Sequence, residues 1–149
     1  MRIQPQNKKF SEAYQKFLYL PMGRLVLLLT TTGRKTGNPH TIGLQYEFID
    51  GRYFVGAADG DRADWYRNVL KEPRVTIQVG RHRYEAIAIA ETKSETVNEY
   101  LQYRLRKRPL MMRAILRMDG VKGRIEGDAI RKYAEKIKIV TITPVTPQG

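Results

Sequence analysis

Between two strand-like runs, His40 to Ile49 and Arg52 to Ala58, stands the dipeptide Asp50–Gly51. A two-residue loop of this kind needs positive φ at both positions, which Asp tolerates and Gly adopts freely, so it ties its flanks into an antiparallel pair. A second such unit follows. Val75, Ile77 and Val79 alternate with Thr76 and Gln78, Gly80–Arg81 turns, and Arg83 to Ala90 returns. Upstream, Arg24 to Thr32 (RLVLLLTTT) is short, apolar and β-branched at its end, which predicts a buried strand, and Gly33 to Pro39 is a tight turn. Lys138 to Thr143 alternates once more. The sum is an α+β, mainly β architecture: about six largely antiparallel strands in a barrel-like sheet with peripheral helices. Hairpins dominate where a parallel Rossmann sheet would need βαβ alternation.

The helices fall between and around these strands. Phe10, Tyr14, Phe17 and Leu18 share one face of an amphipathic helix within residues 1–20, stopped by Pro21 and Gly23. Another begins at Asp61 or Arg62, runs through Leu70 and ends before Pro73. Thr92 to Lys107 places Val97, Tyr100, Leu101 and Leu105 on one side. Pro109 opens a further helix whose apolar face is expected to be Leu110, Met111, Ala114, Ile115 and Met118. Gly120, Gly123 and Gly127 mark a loop, Asp128 to Lys136 a last helix, and residues 143–149 a frayed tail.

At 149 residues, with no linker or repeat, residues 1–149 are expected to form a single domain. The chain has no cysteine, which excludes disulfides, thiolate metal sites and a thiol nucleophile. The longest apolar run, Leu25 to Leu29, is far short of the ~20 residues that span a bilayer, and the N-terminus lacks a signal core. A cytoplasmic protein is expected.

Charge narrows the partners. Lys and Arg number 27 against 15 Asp and Glu, a formal net charge of +12. Between Arg104 and Arg124 stand Arg104, Arg106, Lys107, Arg108, Arg113, Arg117, Lys122 and Arg124 against one acid, Asp119. Residues 104–136 read as a basic helical insertion. Nucleic acid, anionic lipid or a small polyanionic ligand would each suit such a chain.

One segment, TTTGRKTGNPH at 30–40, concentrates chemistry. Two glycines and adjacent Arg34 and Lys35 offer backbone N–H groups and cations to an anion in one tight place. It is not a Walker A loop, because Arg34 stands where that motif has glycine directly before the lysine. His40 and His82 lack the spacing of a metal site or a triad, and Asp59, Asp61 and Asp64 are most simply the acidic start of a helix. No metal site is expected.

The order of elements adds a resemblance. TTTGRKTG before a strand, an Asp–Gly hairpin, the strand end FVGAADG, a helix beginning near DWYRN and the phrase PRVTIQVG resemble the deazaflavin-dependent nitroreductase family of split β-barrel flavoproteins, over residues 20–90. The resemblance implies a split β-barrel that binds coenzyme F420, an 8-hydroxy-5-deazaflavin whose tail carries a phosphodiester and glutamates. It places the cofactor on Thr32, Gly33, Arg34, Lys35, Thr36, His40, Thr41, Ile42, Ala57, Ala58, Asp59, Trp65 and Asn68. In that reading Arg34 and Lys35 hold the tail, Thr36 donates to the phosphate, and Ala57 and Ala58 let the ring approach the backbone. Trp65 and Asn68 line the site from the helix. Two positions depart from the family: His40 stands where an arginine is usual, and Asp59 where a polar or basic residue is common.

The function so implied is hydride transfer from reduced deazaflavin to a small conjugated, nitro- or quinone-like acceptor. A protonating tyrosine is sought among Tyr66, Tyr100, Tyr103 and Tyr133 without assignment, so the catalytic residue is unknown. Two alternatives stay open. The same barrel could take FMN, whose single phosphate needs fewer cations, or the 104–124 patch with the GVKG turn could serve a nucleic-acid-binding module, the less favoured class because no aromatic stacking platform accompanies it. A basic amphipathic surface would also suit peripheral contact with an anionic membrane. Monomer and homodimer are equally compatible with the sequence.

Overall fold

The computed structural model describes residues 26–57 and 60–145. Residues 1–25, with the helix expected within residues 1–20, Ala58, Asp59 and the last four residues lie outside them. Six strands among the described residues, β1 (Val26–Thr32), β2 (Pro39–Ile49), β3 (Arg52–Ala57), β4 (Arg74–Val79), β5 (His82–Glu91) and β6 (Lys138–Pro144), close into a barrel in the order β1-β2-β3-β6-β5-β4. Every neighbouring pair is antiparallel. Asp50 and Gly51 both have left-handed backbone (φ 52° and 79°), and Ile49 pairs directly with Arg52, so this hairpin forms as its sequence requires.

Alternation decides what fills the barrel. Leu27 and Leu29 of β1, Val55 and Ala57 of β3, Val75 and Ile77 of β4, Ala86 and Ala88 of β5, and Val140 and Ile142 of β6 converge in one buried cluster. Each pair is two residues apart, so one face of each of these five strands supplies the interior, and Leu44 and Tyr46 of β2, partly buried, pack against it. The small alanines leave room for Tyr53 and for Trp65, Tyr66 and Val69, which come from helix α1 (Asp64–Lys71).

A second buried cluster grows on the outer wall. Phe54 and Ile139, which alternate with the interior residues, meet Val97, Tyr100 and Leu101 of α2 (Ser94–Lys107), Met112 and Leu116 of α3 (Pro109–Met118), and Ile130, Tyr133 and Ala134 of α4 (Gly127–Lys136). Phe54 stacks on Tyr100 at 5.5 Å, and the Tyr100 hydroxyl donates to the Phe54 carbonyl at 3.2 Å. This helical cap covers the part of the barrel built from β2, β3 and β6.

Several sequence expectations need correction. The helix expected from Asp61 or Arg62 begins at Asp64, because Gly60–Arg62 forms a separate 3-10 turn and Ala63 is extended. The apolar face of α3 is rotated: Met112 and Leu116 are its fully buried residues, while Leu110 is 85% and Met118 84% exposed. The i, i+4 pair 112/116 packs on the cap, and the 110/114/118 row points the other way. The tail expected to fray from Thr143 instead continues β6 through Pro144, and the Val145 N–H donates to the Glu85 carbonyl at 2.9 Å.

Candidate functional site: a cleft between the basic turn and α1

The turn between β1 and β2 closes on itself. Gly33 N–H donates to the Asn38 carbonyl at 2.7 Å, Gly37 N–H to the Gly33 carbonyl at 2.8 Å, and Asn38 N–H to the Thr36 hydroxyl at 3.2 Å. Gly33 is favoured by close approach. A Cβ there would stand 2.7 Å from His40 Nε2, so the imidazole would have to move, and 3.0 Å from the Asn38 carbonyl oxygen, tighter than ordinary contact.

Helix α1 pins the turn through one buried amide. Asn68, 3% exposed, accepts at Oδ1 from the Arg34 backbone N–H (3.2 Å) and from Arg34 Nη1 (2.9 Å), and donates from Nδ2 to Thr31 Oγ1 (3.1 Å). The other side of the Arg34 guanidinium pairs with Asp64 Oδ1 at 3.1 Å. Lys71 Nζ donates to the Arg34 carbonyl at 2.9 Å. Arg34 is thus largely engaged in holding the turn to the helix, whereas Lys35, Thr36 and His40 stand exposed at the rim. Asp64, in the first turn of α1, sits at the positive end of that helix and presents Arg34 in one orientation.

Between turn and helix lies a cleft of about 560 Å³. The structure brings Gly33, Arg34, Lys35, Thr36, His40, Thr41, Ile42, Trp65 and Asn68 together in its lining. Asn38 and Asp64 line it as well and were not anticipated; Asp64 carried a signal in its helix-start position, but its pairing with Arg34 is tertiary. Thr32 faces a neighbouring groove and Ala57 is buried in the barrel interior, so neither lines this cleft. Ala58 and Asp59 lie outside the described residues. The donor set is that of an anion receptor: exposed cation, hydroxyl and imidazole on one rim, with Trp65 forming an apolar wall, 7% exposed. These residues fit a ligand with an acidic tail and a flat ring.

A family model described as F420H(2)-dependent quinone reductase matches residues 1–114, a stretch that contains the whole cleft. The chain belongs to this family. Membership implies coenzyme F420 as the cofactor. The F420H(2)-dependent quinone reductase of Mycobacterium tuberculosis strain H37Rv is 38% identical over 65 residues, 42% of this chain and 44% of that protein. The alignment therefore spans under half the length of the curated relative. A solved F420-H2 dependent reductase shares the fold with a TM-score of 0.54 at 22% identity, over 80% of this chain and 94% of that one. The heme storage protein of Vibrio cholerae does so with a TM-score of 0.55 at 16% identity, over 99% of this chain and 93% of that one.

A second cavity, about 300 Å³, lies where the helical cap meets the outer wall. Its lining on β2 is next in sequence to that of the cleft: Thr41 and Ile42 line the first, Gly43, Leu44 and Gln45 the second. Sequence reasoning missed it, because its walls come from β2, β3, β6 and three helices far apart in the chain. Arg104, 9% exposed, reaches in from α2, donates from Nη2 to Gln45 Oε1 at 3.1 Å and lies 5.8 Å above the Tyr100 ring. Its charge is balanced from behind by Glu47, 2% exposed, which also pairs with Lys107 (3.5 Å) and Arg108. Burial drives the Tyr100 phenol upward, with the neighbouring Arg104 pulling weakly the other way. Burial and the hydrogen bond to Asp119 (2.5 Å) raise Tyr133 likewise. Both phenols keep their protons at neutral pH, and both are already donating, to Phe54 and Asp119.

Proposed function

We propose that this protein is an F420H2-dependent reductase of a small quinone-like acceptor, with the cofactor's acidic tail at the basic turn and the acceptor in the second cavity. The observation that carries the reading is the cleft itself: a turn held rigid by Asn68, Asp64 and Lys71 presents Lys35, Thr36 and His40 to an anion beside the Trp65 wall. When bound, reduced F420 supplies the hydride, so the chain needs no side-chain nucleophile. Lys35 neutralises the tail and Thr36 donates from its hydroxyl, which as an acceptor already serves Asn38. Arg34 acts chiefly by fixing the turn's geometry, since its guanidinium is taken by Asn68 and Asp64. In the second cavity Leu44, Leu101, Met112, Ile115 and Ile139 offer an apolar slot. Because both phenols are committed elsewhere, the Arg104 guanidinium and the Gln45 amide are the donors that would meet an acceptor's carbonyl oxygen.

The test is titration with F420 and with FMN, followed by fluorescence, for the natural chain and for Arg34→Ala with Lys35→Ala. F420 bound in preference to FMN, and lost in the double variant, supports the reading. Equal or tighter FMN binding would replace the cofactor; binding of neither sinks the redox function.

A further inference from the structure

The chain beyond α3 builds a cationic hollow. The Val121 N–H donates to the Leu116 carbonyl at 2.9 Å and the Gly120 N–H to the Arg117 carbonyl at 3.1 Å, so backbone bonds close the end of α3. Arg117 Nη1 donates to the Val121 carbonyl at 3.0 Å and fixes the residue before Lys122. On α4, Ala129, Lys132, Tyr133 and Lys136 recur every three or four residues and share one face. The end of that helix is anchored as well: a Cβ on Gly60 would stand 2.8 Å from the Lys136 carbonyl oxygen. Between loop and helix lies a cavity of about 290 Å³ walled by Lys122, Lys132 and Lys136.

The charge of this hollow is uncompensated. Among the described residues none of the three lysines forms an ion pair. Glu126 and Asp128 face Arg124 and Arg131 instead, at 3.7 and 3.5 Å, and Glu135 does not line the cavity. The one acid in its wall, Asp119, accepts from the Tyr133 hydroxyl. Three cations against one carboxylate leave a positive field focused on a concave site. Asp119 and Tyr133 also line the second cavity, so the two hollows meet at this pair. At about 300 Å³ the second cavity is at the small end of ligand pockets, enough for a ring whose substituents must project from it.

We propose that Lys122, Lys132 and Lys136 form an anion subsite that takes a carboxylate, phosphate or sulfonate carried by the molecule in the second cavity. The acceptor is then a quinone-like ring with an acidic substituent, the ring against Leu101 and Met112 and the anion at the three ammonium groups; this assignment rests on the proposed function. Lysine suits the task. An ammonium is a compact charge on a flexible stem and meets an anion without demanding the planar, two-point geometry of a guanidinium, so the site ranks ligands by charge and reach. All three side chains are exposed, which makes the attraction moderate and sensitive to salt.

The experiment is calorimetric titration of the full chain, at low ionic strength, with 1,4-naphthoquinone and with its 2-sulfonate, which adds one anionic group. The sulfonate should bind roughly tenfold tighter, and Lys132→Gln with Lys136→Gln should bring the two affinities to within about twofold of each other. F420 affinity, read from cofactor fluorescence, should be unchanged in that variant and reports that it is folded. A sulfonate bound no tighter than the parent quinone, or a preference that survives the double variant, would overturn the subsite and leave the proposed function standing. Binding of neither quinone would instead remove the acceptor cavity, and titration with inorganic pyrophosphate then decides what the lysines do. Pyrophosphate bound by the natural chain and lost in the double variant would assign them to a free anion and overturn the substrate role; no binding would overturn the site altogether.

Discussion

Replacing Glu47 by Gln should destabilise the fold by about 3 kcal/mol, the lower end of what breaking a buried ion pair costs. The carboxylate is 2% exposed and faces three cations of unequal worth. Lys107 is 45% exposed at its side chain and contributes under about 1 kcal/mol. Arg108 and Arg104 are 21% and 11% exposed, so their charges are poorly reached by water once Glu47 is neutral. Arg104 is the critical case. Its Nε has no hydrogen-bond partner and relies on the Glu47 carboxylate 3.6 Å away, while only Nη2 is held by Gln45. The retained Gln45 bond places the expected loss at the low end of the range. For a chain of this length about 3 kcal/mol corresponds to a fall in Tm of roughly 6–12 °C. Urea unfolding followed by far-ultraviolet circular dichroism measures it, and Glu47→Leu with Arg104→Met should recover part of the loss, because the Arg104 charge leaves with the carboxylate while Arg108 stays behind without its partner. A loss below about 1 kcal/mol in the Gln variant, or a double variant no better than the single, would refute the argument.

Two further outcomes follow from the site and the cap. Tyr100 and Tyr133 are raised above the ordinary phenol value of 10.0 in the folded chain, whereas unfolded tyrosines ionise near it. The unfolded state therefore loses protons first, stability is complete below about pH 10 and falls as the pH rises beyond it, and Tyr100→Phe should flatten the fall in pH-dependent urea midpoints. His40→Arg restores the cation that the resemblance places there and should tighten F420 binding severalfold without affecting FMN to the same degree, as read by fluorescence titration.

The hairpins were legible because their information is local. Asp50–Gly51 and Gly80–Arg81 dictate their own turns, and alternation in β4 and β5 dictates which side chains enter the barrel. Most of the cleft was legible too, since Gly33 to Ile42 are contiguous and Trp65 and Asn68 share a helix face. What escaped depends on long-range placement. The rotation of α3 could not be read from PLMMRAILRM, because both the 112/116 row and the 110/114/118 row are apolar and only contact with the cap chooses between them. Nothing in the sequence around Glu47 signals burial; that comes from residues more than fifty positions away, Arg104 and Arg108. Arg34 was expected to serve the ligand, yet its bonds to Asn68 and Asp64 exist only once α1 has docked.

Closure of the barrel also limits how this protein can associate. Each of the six described strands has a hydrogen-bonded neighbour on both sides, so among the described residues the sheet has no open edge to recruit a foreign strand. Growth by pairing onto the described strands, the route of many fibrils, has no free edge to start from. Assembly through the described barrel would therefore be written in side chains on its outer surface, where single substitutions can tune it while the frame stays as it is.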